Sequence, residues 1–249
     1  MAGNTARAGT TVTSRVLAIL GSFDHEHRQQ SLTDIADRAD LSLPTAHRLV
    51  AELVDWGALR RRSSGAYVIG RRLWDVGLLA PVQSGLRQTA SPFLNDVYAA
   101  TLATVHLAVR DDHQVLYLDR LSGTSSVPVV SQVGSRLPLH CTGVGKVLLA
   151  YAPEEVVATA MTSLTRMTPY TLTQPRLLAA QLDRVRREGY AQTNEEMTLG
   201  ACSVAVPVRH GHDSVVAALG VVVPSLRRDK SRLVAVLQVA AAGISRTLG

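Results

Sequence analysis

Three stretches near the N-terminus share one spacing of apolar positions. Val16, Ile19, Leu20 and Phe23 fall at i, i+3, i+4 and i+7; so do Leu32, Ile35, Ala36 and Ala39, and again Ala46, Leu49, Val50 and Leu53. Each is the pattern of a helix with one buried stripe, and three such stripes close a small core that none closes alone. The boundaries are marked by polar residues. Ser31 with Asp34 three positions on predicts a capping box before the second helix. Asp40-Leu41-Ser42 is a short turn, and Ser42 suits the N-cap of the third helix. Pro44 then lies in the first turn, where a missing N–H costs nothing, and Gly57 ends the helix in a left-handed conformation. Two helices joined by so short a turn form a helix-turn-helix pattern. "LRRR" and "AYVI" around "SSG" predict a hairpin directly after it, so residues 10–70 are expected to form a winged helix-turn-helix.

Past the hairpin the pattern changes. "RRLWDVGLLA" (71–80) is helical and "PVQSG" interrupts it, which predicts a linker helix over 71–82 and a second domain over 83–249. That domain opens with a helix over 86–102. Strand-like runs follow at 104–110, 114–121 and 127–133, then a short apolar helix in "GVGKVLLAYA". Another helix begins around Thr173 and Pro175 and ends at Gly189; strands are expected at 190–196, 203–209 and 215–223, and a last helix at 227–248. Strands in mixed order with helices at both ends predict an α+β sensor domain, one antiparallel sheet flanked by helices.

The 249 residues are 46% hydrophobic, enough for a real core, but only 4% aromatic, so that core is built from Leu, Val and Ala. Two cysteines, Cys141 and Cys202, make no disulfide framework and fit a reducing compartment. No segment reads as a signal peptide, and the longest apolar run, "VVAALGVVVP", is too short for a membrane span. A cytoplasmic protein without membrane contact is expected. The net charge of +6 suits an acidic partner without naming one. What sharpens it is clustering: Arg60, Arg61, Arg62, Arg71 and Arg72 lie between Gly57 and Trp74 with no acid among them.

A helix fits the major groove of duplex DNA, and its N-terminal residues reach base edges. In the third helix Ser42, Leu43, Thr45, His47 and Arg48 lie off the apolar stripe and are the expected contacts, with Arg48 or His47 reading a base or phosphate. Ser31 and Thr33 at the start of the second helix, and Arg15 in the first, are expected near phosphate. Arg60, Arg61 and Arg62 alternate along a strand, so only some face the backbone; the same charges would also keep an edge strand from aggregating.

"HCTGVGK" (140–146) invites enzymatic readings and fails them. A P-loop needs glycine at position 140 and Ser or Thr at 147, where His140 and Val147 stand; a dinucleotide fingerprint needs glycine at 148, where Leu148 stands. Cys141 beside His140 on an extended strand points to the opposite face, so no direct dyad forms. What remains is a turn: Gly143 and Gly145 expose backbone N–H groups at a helix start, which suits a carboxylate. "HEH" (25–27) and "HGH" (210–212) lack partners at ligand spacing, so no metal is expected. Glu195 and Glu196 have no evident acid partner and are assigned structural roles. No cofactor is called for.

Winged helix, linker helix, then "LPLHCTGVGKVLLA" (137–150) and "GYAQTNEEMTLGACSVAVPV" (189–208) together resemble the IclR family of bacterial transcriptional regulators, from about Thr13 to Leu248. The resemblance implies a GAF-like C-terminal domain that binds a small organic effector and alters operator binding by a homodimer or homotetramer. It implies a pocket at Gly143, Val144 and Gly145, Thr193, Cys202 and Ser203, Gly220 and Val222. Family members that bind small polar acids carry an acidic residue, a cysteine and serines along the last strands. Thr193, Ser203, Gly220 and Val222 depart from that set and imply a more apolar wall, suited to an aromatic or branched-chain acid. The rival readings are an architectural DNA-binding protein without an effector, and an enzyme fused to a DNA-binding domain.

Overall fold

The structure is a computed structural model that describes residues 11–24, 26–78, 84–123, 126–211 and 214–249. The chain divides into two compact units, residues 1–82 and 83–249. Residue 10 and residues 79–82, which close the linker expected over 71–82, lie outside the described residues, as do His25 and His212.

The first unit holds α1 (Val12–Gly21), α2 (Leu32–Arg38) and α3 (Leu43–Trp56), the hairpin β1 (Leu59–Arg61) and β2 (Tyr67–Ile69), and α4 (Arg71–Leu78). The three stripes meet as the spacing requires: Ile19, Ile35, Leu49 and Val50 are buried together with Leu59 and Tyr67 of the hairpin. Each such side chain contributes about 1.5–3 kcal/mol on burial. Ser31 makes the capping box with Asp34, accepting from its N–H while its own N–H donates to the Asp34 carboxylate. Gly57 closes α3 at φ 86°, and Asp40 takes φ 53° in the turn between α2 and α3. At Ser42 one detail differs. It occupies the N-cap position but its hydroxyl caps no N–H; it bonds the Thr45 hydroxyl at 2.9 Å instead.

The strands of the second unit are β3 (Thr104–Asp111), β4 (Gln114–Leu121), β5 (Arg136–Pro138), β6 (Ala191–Asn194), β7 (Cys202–His210) and β8 (Ser214–Val223). Among the described residues they pair as one six-stranded antiparallel sheet in the order β5-β4-β3-β8-β7-β6. α5 (Ser84–Thr101) and α9 (Lys230–Leu248) cover one face, against Val105, Leu107, Val204, Val206, Leu219 and Val221. α6 (Gly143–Ala150), α7 (Glu154–Thr162) and α8 (Pro175–Glu188) cover the other, against Ala108, Ala205 and Ala218. Burial on both faces explains why "VVAALGVVV" runs apolar without alternation. Small residues on the second face bring α6 down onto the sheet.

Two elements correct the sequence reading. Residues 127–133 are not a strand. The edge of β4 is taken by β5, with Gln114 opposite Pro138 and Leu116 opposite Arg136, and Pro128 has no N–H to give a ladder. The stretch instead crosses the second face and places Ser131 against His106. The helix α7 was not expected; Pro153 before Glu154 and Glu155, an acidic first turn, was its signal. Among the described residues no helix is long and apolar enough to cross a membrane.

Candidate functional site

On the first unit, α3 turns Ala46, Leu49, Val50 and Leu53 inward, which leaves Leu43, His47 and Arg48 exposed and Thr45 half-buried. Arg48 forms a 2.7 Å ion pair with Glu52 one turn on, both well exposed, so the bond is worth about 0.5 kcal/mol and opens readily. Ser31 is committed to its capping box, and those bonds hold the Asp34 carboxyl below the usual carboxylate range. Thr33 is exposed and Arg15 half-exposed. Gln30 pairs with Tyr67, tying the start of α2 to the hairpin. On the hairpin all three arginines are exposed. Arg60 is opposite Val68; Arg61 lies over the Tyr67 ring at 5.8 Å; Arg62 reaches Gln29 at 3.4 Å.

On the second unit the N-terminus of α6 meets the sheet over a cavity with about 480 Å³ of atom-free space, solvent at its mouth included. Thr142 caps α6 by accepting from Gly145 N–H at 3.1 Å. The first two N–H groups, those of Gly143 and Val144, are left by helix geometry without intrahelical acceptors. Two glycines allow the approach: a Cβ on Gly143 would lie 2.5 Å from Ser203 Oγ, and one on Gly220 3.0 Å from Val144 Cγ1. Gly143, Val144, Thr193, Ser203, Gly220 and Val222 all line the cavity. Thr193 and Ser203, opposite each other on β6 and β7, join hydroxyls at 2.5 Å.

Gly145 and Cys202 do not line it. Gly145 has its N–H consumed by Thr142 and its Cα pressed against Leu139, whose carbonyl would lie 2.3 Å from an added Cβ. Cys202 alternates to the side of β7 opposite Ser203 and places its Sγ 2.9 Å from Asn194 Oδ1. Sequence reasoning missed His106, Tyr117, Ser131, Cys141 and Met197, which also line it. A signal for the first was present: His106 is the one titratable side chain inside the apolar run of β3. Burial, reinforced by the charge of Arg120, pushes its imidazole down to about 3, so it is neutral. Tyr117 packs edge-on against it at 5.0 Å. Among the described residues that line the cavity, none carries a formal charge at neutral pH.

Comparison with known proteins decides the family. The IclR helix-turn-helix domain matches residues 12–63, and the bacterial transcriptional regulator IclR C-terminal domain matches residues 80–246. The chain belongs to the IclR family. It is 32% identical over 241 residues to the HTH-type transcriptional regulator XynR of Escherichia coli K12, spanning 94% of this chain and 96% of that one. KdgR of Dickeya chrysanthemi is 30% identical over 244 residues, 95% of this chain and 80% of its own. Among solved structures, an IclR homolog from Microbacterium hydrocarbonoxydans complexed with 4-hydroxybenzoate superposes with a TM-score of 0.91 at 35% identity, covering 96% and 99% of the two chains. The Thermotoga maritima IclR gives 0.77 at 29% identity, covering 96% and 97%.

Within this IclR chain the remaining polar groups hold the cavity together. Lys146 is buried, with Nζ 2.6 Å from Glu196 and 2.5 Å from Gln181 of α8. Burial pushes the ammonium down and the carboxyl up, and their mutual attraction opposes both. Glu195, at φ 55°, accepts from Gly200 N–H at 2.7 Å and folds the 195–201 loop that carries Met197 and Ala201 onto the cavity. Glu195 thus ties the loop to itself, and Glu196 ties it to α6. Cys141 places its thiol on Met197 Sδ at 3.5 Å, and burial pushes it up to about 12. His140 bonds the Thr165 carbonyl at 2.9 Å, away from that thiol. His27 is bound to Asp24, and among the described residues no His, Cys, Asp or Glu cluster suits a metal.

Proposed function

We propose that the chain is a non-enzymatic, operator-binding regulator whose C-terminal cavity takes a small aromatic monocarboxylate, and that it works in the cytoplasm as a homodimer or homotetramer. The observation that carries the reading is the cavity itself. It is mostly apolar, free of charged side chains, and met by a helix N-terminus whose Gly143 and Val144 N–H groups suit one carboxylate. The absence of a lining cation argues for one acid group and against two, since a second carboxylate would be buried unpaired. The complex of a 35% identical structure with 4-hydroxybenzoate supports the aromatic class.

On the DNA side, α3 is the major-groove helix, with Arg48 and His47 for bases and Leu43, Ser42 and Thr45 close to the groove wall. Ser31, Thr33 and Arg15 are assigned to phosphate, as are the hairpin arginines Arg60, Arg61 and Arg62. An effector changes operator affinity only through unequal affinity for two arrangements of the oligomer, and the linker helix is the segment through which that difference passes. The test is fluorescence anisotropy of the purified chain on DNA from upstream of its own gene, with and without benzoate, paired with calorimetry for binding. Saturable binding of benzoate with a shifted DNA affinity is expected. Failure of every aromatic and branched-chain acid to bind would overturn the effector reading, and absence of any site preference at low salt would overturn the operator reading.

A further inference from the structure

The ends of the cavity differ, and the difference specifies the ligand further; the argument rests on the aromatic-acid reading above. On the α6 side of the sheet, one cross-strand row runs Thr193, Ser203, Val222, and the next runs Ala205, Gly220, His106. The bare Gly220 lies between the helix N-terminus and His106. Two strand spacings, about 9.5 Å, separate the β7 row that carries Ser203 from the strand that carries His106, a span suited to one substituted ring. At that far end His106 Nε2 and Ser131 Oγ are 2.8 Å apart, both side chains buried. Among the described residues no other hydrogen bond reaches either side chain. A neutral imidazole has one donor and one acceptor nitrogen, and a serine hydroxyl has one proton and two lone pairs. A single bond between them leaves capacity both to give and to take a hydrogen bond, which matches a hydroxyl group. A carboxylate there would touch only neutral side chains, because Arg120, the cross-strand partner of His106, does not line the cavity.

We infer that His106 and Ser131 read a ring hydroxyl at the end of the cavity opposite the carboxylate, and thereby select hydroxylated aromatic acids over the bare ring. The experiment is calorimetry of the full chain with benzoate and with 2-, 3- and 4-hydroxybenzoate. One hydroxy isomer is expected to bind about tenfold or more tighter than benzoate, the preference a satisfied buried polar pair confers. Ser131→Ala and His106→Phe should each bring that ratio, measured within the same variant, close to one. Ser131→Ala sits outside the sheet and keeps the test decisive if His106→Phe melts early. A wild-type ratio near one, or a ratio unchanged in both variants, overturns the inference while the aromatic-acid reading stands. Loss of benzoate binding in Arg120→Gln would seat the carboxylate at this end and also overturn it. Failure of all four acids to bind removes the aromatic-acid reading and this inference together.

Discussion

Replacing Lys146 by methionine would expose how the cavity wall is held. The Lys146 side chain is 1% exposed and that of Glu196 7%. The substitution leaves apolar volume nearly filled but strips the Glu196 carboxylate of its cation, and Glu196 Oε2 already has no hydrogen-bond partner among the described residues. An uncompensated buried charge of this kind costs about 3–5 kcal/mol, a large share of the roughly 5–15 kcal/mol that holds a domain folded. With a urea dependence of about 2 kcal/mol per molar, the midpoint should fall by about 1.5–2.5 M. Lys146 joins α6 to α8 through Gln181 and to the loop carrying Met197 through Glu196, so affinity for a cavity ligand should fall as well. The double variant Lys146→Met, Glu196→Leu removes both charges and should recover to within about 1 kcal/mol of the parent. Urea denaturation of the four proteins closes the cycle. A single substitution costing under about 1 kcal/mol, or a double that costs the sum of the singles, would refute the claim that burial makes the partners interdependent.

Ser31→Ala should destabilise the first unit by about 1 kcal/mol through loss of its cap bond, whereas Ser42→Ala should cost only a few tenths, since that hydroxyl caps nothing; thermal melts compare them. Gly57→Ala should cost about 1–2 kcal/mol, because φ 86° is unfavourable for a residue with a Cβ. His106 makes stability depend on pH with a definite sign. Its folded pKa of about 3 lies below the 6.5 of the free side chain, so the unfolded chain binds the extra proton between those values. The stabilisation is complete above 6.5 and lost as pH falls toward 3, about 2 kcal/mol by pH 5, and His106→Phe should remove that slope in urea melts. Arg48→Ala should weaken operator binding in anisotropy titrations, reduce the salt slope by about 1 if it meets phosphate, and erase preference between sites if it meets a base.

Local physics made much of this legible in advance. The three helical stripes, the Ser31–Asp34 capping box, the left-handed Gly57 and the apolar runs of β7 and β8 depend on neighbours within a few positions, and such features are fixed by the chain alone. The glycine-rich turn at 143–145 was equally plain as a helix start. Which of its glycines faces the cavity was not, because that depends on Thr142 claiming the Gly145 N–H and on Leu139 packing behind it. Strand register decided that Ser203 looks into the cavity and Cys202 away, that β5 rather than residues 127–133 completes the edge beside β4, and that Ser131 meets His106. Lys146 and Glu196 lie fifty residues apart, and nothing periodic links them. Helix faces and caps are written locally; partners across a sheet exist only once the strands are paired, and the cavity is made of such partners.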